Sequence, residues 1–169
     1  DNGVKTAYTL AELGNAYDLG LASSFKTAFE KLGGKVIAEN FPTNQADFTS
    51  YITNAKSNGA QAIFAPTSIS YAQLIIEAAA TQGLKIPLYA GDTWDSNVIL
   101  AAAKGKDVQV NVTTFYQEGG NKEFDEGFKK WLNADSSRLT NNGGNDIVSA
   151  VSAMGYDSYF TALEAIKAA

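Results

Sequence analysis

Apolar residues along this chain keep two rhythms in turn. Short runs rich in β-branched and aromatic residues alternate with longer segments whose apolar positions recur every three or four residues. The first run, residues 4–10 with Tyr8 and Thr9, predicts a strand. A helix is predicted from about Asp18, with Leu19, Ala22, Phe25, Phe29 and Leu32 on one side and Gly33-Gly34 ending it. Residues 35–41 predict a second strand, closed by Pro42. Asp47 then caps a helix carrying Phe48, Tyr51, Ile52 and Ala55, which Asn58-Gly59 stops. Residues 60–65 predict a third strand ending at Pro66. Ser70 caps a helix with Leu74, Ile75, Ala78 and Ala79, stopped by Gly83. A fourth strand is expected over 86–90, a helix from Ser96 to about Lys104, and a fifth strand over 108–115. Helices follow near 121–134 and 146–168. The Asn/Gly-rich stretch 140–145 reads as a surface loop between them.

Strand and helix alternate with short connections, which predicts parallel strands joined by right-handed crossovers. The strand runs are apolar on both sides, as in a sheet covered on both faces. The expected fold is therefore α/β: a doubly wound, mostly parallel five-stranded sheet with helices on both faces, a flavodoxin-like lobe. Residues 1–169 are read as one such ligand-binding lobe.

Composition narrows the chemistry. The 169 residues contain no Cys and no His, so disulfides, thiolate metal sites and Ser-His-Asp or Cys-His catalysis are excluded. Zinc lacks its usual ligands. The net charge is -5, and no Lys/Arg-rich stretch marks a nucleic-acid or membrane-surface contact. The richest apolar run, 72–80, holds Gln73 and Glu77 and is too short to span a bilayer. No leader peptide is visible before the first strand, and the chain reads as a mature or excised segment. No enzymatic activity, cofactor or metal is expected.

In an open α/β sheet, ligands bind beyond the carboxyl ends of the strands, where strand order reverses. Candidate chemistry is therefore sought in the strand-to-helix loops. The first, Glu12-Leu13-Gly14-Asn15-Ala16-Tyr17-Asp18, carries neither G-x-G-x-x-G nor Gly-Lys-Ser/Thr, which removes nucleotide phosphate binding. Tyr17 there is either a ligand contact or a packing residue. The loop after the third strand offers Ser68, Ser70 and Tyr71, hydroxyls that hold an anion or cap the helix. The loop after the fourth strand is the richest: Asp92 and Asp95 flank Trp94. Carboxylates there accept hydrogen bonds from an ammonium group, and the indole walls an apolar or cationic part of a ligand; helix capping by Asp95 or Ser96 is the alternative. Tyr116 follows the fifth strand as a weaker candidate. Asn111-Val112-Thr113 fits a glycosylation acceptor but lies within a predicted strand. Phe124, Phe128, Trp131 and Leu132 form a helical stripe that is core or packs on a partner.

With those loops in view, the chain resembles the branched-chain amino-acid type of periplasmic solute-binding protein, of the type I periplasmic-binding-protein fold. The resemblance is carried by Gly20-Leu21-Ala22, by Phe29 through Val36, by Gln45-Ala46-Asp47-Phe48-Thr49 and by Ala60-Gln61-Ala62-Ile63-Phe64. Gln82-Gly83-Leu84-Lys85-Ile86-Pro87, Gly91-Asp92-Thr93-Trp94-Asp95-Ser96 and Met154-Gly155-Tyr156-Asp157 continue it in order over nearly the whole chain. It implies a periplasmic or extracellular protein, membrane-tethered where there is no periplasm. Such a protein captures an amino acid or similar small solute for an ABC permease. Relatives have two hinged lobes, and this chain resembles about half of one. Residues from about 96 would belong to the other lobe in a full-length relative; here they complete one sheet or pair with another copy as a homodimer. The resemblance makes Tyr17 a ligand-contacting aromatic and matches Trp94 and Asp95 to a Trp-Asp pair at a hinge crossing, with Tyr116 a further contact. Ser68 and Tyr71 lie in the loop that often carries an acid for the ligand ammonium. Here Tyr71 stands near its place, which leaves the ammonium to Asp92 or Asp95.

Two other readings stand beside this one. A sensor domain of a receptor or regulator shares the fold. A flavodoxin-like enzyme or phosphoacceptor domain needs acids clustered after strand one and a lone Asp after strand three. Only Glu12 follows the first strand, and no acid follows the third before Glu77.

Overall fold

Five strands pair side by side in a computed structural model that describes residues 3–169: β1 (Thr6–Glu12), β2 (Lys35–Phe41), β3 (Ala62–Phe64), β4 (Leu88–Ala90) and β5 (Val110–Val112). All pairings are parallel, in the order β2-β1-β3-β4-β5. The sheet is thus wholly parallel rather than mostly so. Each crossover is a helix: α1 (Ala16–Lys31), α2 (Thr49–Ser57), α3 (Ile69–Thr81) and α4 (Asn97–Ala103). The chain runs from β1 outward to β2, then returns past β1 to β3 and continues to β5. Strand order therefore reverses between β1 and β3, where an open α/β sheet leaves a crevice.

Period-2 alternation divides the strand residues between two faces. Tyr8 and Leu10 of β1, Ile63 of β3 and Leu88 and Ala90 of β4 face a core shared with Ile52 and Ala55 of α2, Ile75, Ile76 and Ala79 of α3, and Ile99 of α4. Phe64, one step from Ile63, stacks instead on Phe25 of α1 at 4.7 Å, and α1 covers β1 and β2 from that side. Phe41, at the carboxyl end of β2, meets Phe48 and Tyr71 edge-on at 5.0 and 4.8 Å. This aromatic group closes the core directly beneath the crevice.

Element limits differ from the sequence pattern in ways that matter locally. β1 runs on to Glu12 because Glu12 pairs with Phe41 in register, so Glu12 is a strand residue and not a loop residue. α1 starts at Ala16, not Asp18, because the Asn15 side chain accepts the backbone N–H groups of Tyr17 and Asp18. Its last turn ends on Gly33, whose φ of +85° favours glycine. β4 starts at Leu88 because Pro87 has no amide hydrogen, although its carbonyl still accepts from Ile63 at 3.0 Å. Ser68, not Ser70, holds the cap position of α3. Asp47 lies one residue outside the cap position of α2 and accepts the Thr49 N–H at 2.8 Å.

The chain packs as two compact units, one ending at Thr113 and the other Thr114–Ala169. The sheet and α1–α4 make up the first. The second holds α5 (Lys122–Asn133), α6 (Ser136–Asn141) and α7 (Ala150–Ala168). α6 was not legible as a helix, and the 140–145 stretch closes it rather than looping freely: Gly144 N–H donates to the Leu139 carbonyl at 2.8 Å, and the Asn142 amide donates to the carbonyls of Asn145 and Ile147. Phe124, Phe128 and Trp131 stack in series at 5.7 Å, and the Arg138 guanidinium lies 4.6 Å over Trp131. Leu132 is buried while Trp131 is exposed.

Candidate functional site

Three strand-end loops of the first unit meet at the β1/β3 reversal. The β1–α1 connection brings Glu12 at the end of β1, Asn15 in the loop, and Tyr17 and Asp18 in the first turn of α1; the β3–α3 connection brings Thr67 and Ser68 with Tyr71 in the first turn of α3; the 3₁₀ turn after β4 brings Asp92, Thr93 and Trp94. The Tyr17 hydroxyl donates to Asp92 Oδ1, linking the first of these loops to the third. Gly91 makes that approach possible, since a Cβ there would lie 3.2 Å from the Tyr17 hydroxyl and 3.4 Å from Leu21. Burial pushes the Tyr17 phenol upward, and the hydrogen bond and charge of Asp92 add to this.

A second link joins the first and second loops. The Tyr71 hydroxyl donates to Glu12 Oε1 at 2.8 Å and accepts the Asn44 N–H at 3.0 Å. That bond holds the Glu12 carboxyl below its ordinary range and pushes the Tyr71 phenol up. Asn15 Nδ2 reaches Glu12 Oε2 at 3.4 Å. Beneath it, the Asp18 carboxylate accepts the Glu12 N–H at 3.2 Å. Asp18 is 1% exposed, and burial pushes it up to about 6 against one opposing backbone hydrogen bond, with the Glu12 charge acting in the same direction as burial.

The candidates named from the sequence divide in their placement. Tyr17, Tyr71 and Asp92 lie in this network. Trp94 is 1% exposed, and its Nε1–H donates to the Thr67 carbonyl at 2.9 Å, beside Thr93 Oγ1 on the same oxygen at 2.8 Å. The indole thus ties the loop after β4 to the loop after β3. Asp95 follows the short 3₁₀ turn Asp92–Trp94 and donates its N–H to the Asp92 carbonyl at 2.9 Å, while Ser96 caps α4 through the Val98 N–H. Ser68 and Ser70 share a hydrogen bond at 2.8 Å. Tyr116 lies in the second unit, where its hydroxyl donates to the buried Asp125 at 2.6 Å and accepts the Asn121 N–H at 3.0 Å.

Glu12, Asn15, Asp18 and Thr67 join the site although the sequence did not single them out. One signal was present: Asn15 and Asp18 stand three apart at a helix start, the spacing of a capping box. Thr67 is fully buried, and its Oγ1 is one of two buried side-chain polar atoms without a partner among the described residues, Tyr8 Oη being the other.

The charge at this edge is one-sided. The strand-end segments 12–18, 41–48, 65–71 and 90–96 contain Glu12, Asp18, Asp47, Asp92 and Asp95 and no Lys or Arg. Acceptors dominate, so the edge suits a group that donates hydrogen bonds and carries positive charge. Among the described residues no group of three or more acids is placed to hold a metal ion, and no helix is long and apolar enough to cross a membrane.

Comparison with known proteins agrees with this architecture. The profile of the periplasmic binding protein family matches residues 1–169, and the chain belongs to that family. Among solved structures, it is similar to a leucine-binding protein, LivK, from Thermotoga maritima, with 24% identity and a TM-score of 0.83 over 98% of this chain and 45% of that one. It is also similar to the branched-chain amino acid transporter substrate-binding protein LivJ from Streptococcus pneumoniae, solved with isoleucine: 21% identity, TM-score 0.72, 92% of this chain and 42% of that one. A fatty acid ABC transporter substrate-binding protein from Thermomonospora curvata matches with 17% identity and a TM-score of 0.57, over 83% of this chain and 39% of that one. The chain spans less than half the length of each of these proteins. No curated protein sequence matches it. The fold is the type I periplasmic-binding-protein α/β fold, here with an all-parallel sheet.

Proposed function

We propose that this chain is the solute-binding lobe of an extracytoplasmic binding protein that captures an amino acid, or a small solute with a similar cationic end, for an ABC importer. The observation that carries the reading is the pairing of Tyr17 with Asp92 and Tyr71 with Glu12 at the β1/β3 reversal, on an edge that has no Lys or Arg. An ammonium group gains charge-assisted hydrogen bonds from such acceptors. Asp92 takes the main role in this reading, Tyr17 and Tyr71 flank the solute, and Glu12 supplies the second charge. Trp94 positions the Asp92 loop from the core rather than lining the ligand. The similar leucine-binding protein and the similar protein solved with isoleucine support an amino-acid solute; because a fatty-acid transporter protein shares the fold, the solute class rests on the charged edge and not on the fold.

Solute held between two lobes loses roughly half its contacts on one lobe alone. Calorimetry of this chain with L-leucine and L-isoleucine is expected to give a Kd above about 1 μM, weakened at least tenfold further by Asp92→Asn. Sub-micromolar affinity contradicts the half-cleft reading. Binding that is indifferent to Asp92→Asn removes the acidic edge from it.

A further inference from the structure

Asp18 is a carboxyl group that α1 capping does not require. Asn15 already satisfies the Tyr17 and Asp18 N–H groups. The Asp18 side chain reaches back instead to the Glu12 N–H, across the three-residue loop Leu13-Gly14-Asn15. It thereby ties the end of β1 to the first turn of α1. On one side of that tie sits Glu12, held by Tyr71 and Asn15; next to it in sequence sits Tyr17, held to Asp92. The hydrogen bonds of Glu12 to Tyr71 and of Tyr17 to Asp92 thus start from the residue whose amide Asp18 holds and from the sequence neighbour of Asp18.

The charges around it are of one sign. From β1 Asp18 faces Glu12, from α1 Tyr17, and from α3 Tyr71, the last two carrying hydroxyls; none is a cation. A buried carboxylate without a cationic partner is expensive, and the neutral acid is the cheaper form. Yet Glu12 is held in its charged form by Tyr71. When Asp18 ionises, it becomes the stronger acceptor for the Glu12 N–H, against the repulsion of the Glu12 charge across a three-residue loop that contains no Lys or Arg.

We propose that Asp18 is a proton-controlled positioning residue: its carboxyl grips the Glu12 N–H and braces the β1–α1 loop as an anion, and slackens that grip as a neutral acid, so that the placement of Glu12 and Tyr17 follows pH. This goes beyond the proposed solute reading and, where that reading holds, rests on it for one consequence. A solute cation docked against this edge stabilises the ionised Asp18, so capture releases a proton, and by linkage the two equilibria shift each other equally.

The test is an NMR titration of the solute-free protein from pH 3 to 8, following the Asp18 carboxyl carbon, the Glu12 amide and the Tyr17 ring. The carboxyl carbon is expected to titrate about two pH units above an ordinary aspartate, near pH 6, with the amide and ring moving at the same midpoint. In Asp18→Asn, which keeps an acceptor for the Glu12 N–H, that shared transition disappears. An Asp18 midpoint near 4, or a high midpoint that the Glu12 amide and Tyr17 ring do not follow, overturns the proposal on the unaltered protein alone. Adding L-leucine is expected to lower the midpoint; leucine bound at this edge with the midpoint unmoved overturns the proton release. Failure of leucine to bind at any pH retires the amino-acid reading and leaves the solute-free titration to decide the brace.

Discussion

Asp18 and Thr67 are the two residues at the site whose chemistry is least settled by their surroundings. The folded-state value of Asp18, about 6, lies above its ordinary 3.8, so folding takes up a proton between those values. Stability therefore falls as pH rises from about 4 to about 6, and the penalty is complete above that window. Asp18→Asn is expected to raise stability at pH 7.5 by up to about 3 kcal/mol, and to have little effect at pH 3.5. Urea denaturation at the two pH values measures this. A variant less stable than the parent at pH 7.5 contradicts the burial argument. Thr67 Oγ1 is buried without a partner, which costs about 1 kcal/mol or more. Thr67→Val keeps the carbonyl that Thr93 and Trp94 use, and is expected to raise the unfolding free energy measured by urea denaturation by roughly that amount; a fall shows that the hydroxyl has a role in the folded state.

Among the elements, the β–α units were legible because their periods change cleanly from 2 to 3.6, and Gly33, Pro42, Asn58-Gly59 and Gly83 punctuate them. Strand limits were less so. Ladder pairing is set by neighbours from distant parts of the chain, which is why β1 extends to Glu12 opposite Phe41 and why β3, β4 and β5 have three residues each. The hydrogen-bond network at the strand ends was legible where a polar residue follows a strand, as with Tyr17, Tyr71 and Asp92. Which residues face the edge was not legible at Glu12, where the register decides loop or strand, and neither was the burial of Trp94, whose indole turns into the core. No local pattern tells an indole that lines a cleft from one that braces its loop. The contact between the β1–α1 and β4–α4 loops depends on Gly91. Gly91→Ala is expected to displace the Tyr17 hydroxyl by a few tenths of an ångström, weakening the Tyr17–Asp92 hydrogen bond while the fold persists. A shifted Tyr17 phenol titration with an unchanged far-ultraviolet dichroism spectrum checks this; an unaltered phenol titration contradicts the close approach.

At the scale of the molecule, the first unit already contains the whole sheet, its order reversal and the acidic edge, all before Thr114. The second unit has its own polar framework around Asp125, with Glu118 bound to Lys129 and accepting the Val148 N–H at 3.1 Å. Tyr116 belongs to that framework, so its proposed solute contact rests on the family resemblance rather than on the acidic edge. In the proposed function, solute is captured by the carboxyl edge at the β1/β3 reversal. The most direct test of this capture is an amide NMR titration of the ¹⁵N-labelled chain with L-leucine at millimolar concentration. Saturable shifts are predicted at Glu12, Tyr17, Tyr71 and Asp92, and these shifts should be suppressed in Asp92→Asn. Shifts confined to the opposite edge of the sheet, around Gln61 and Gln109, or to Thr114–Ala169, would contradict the account.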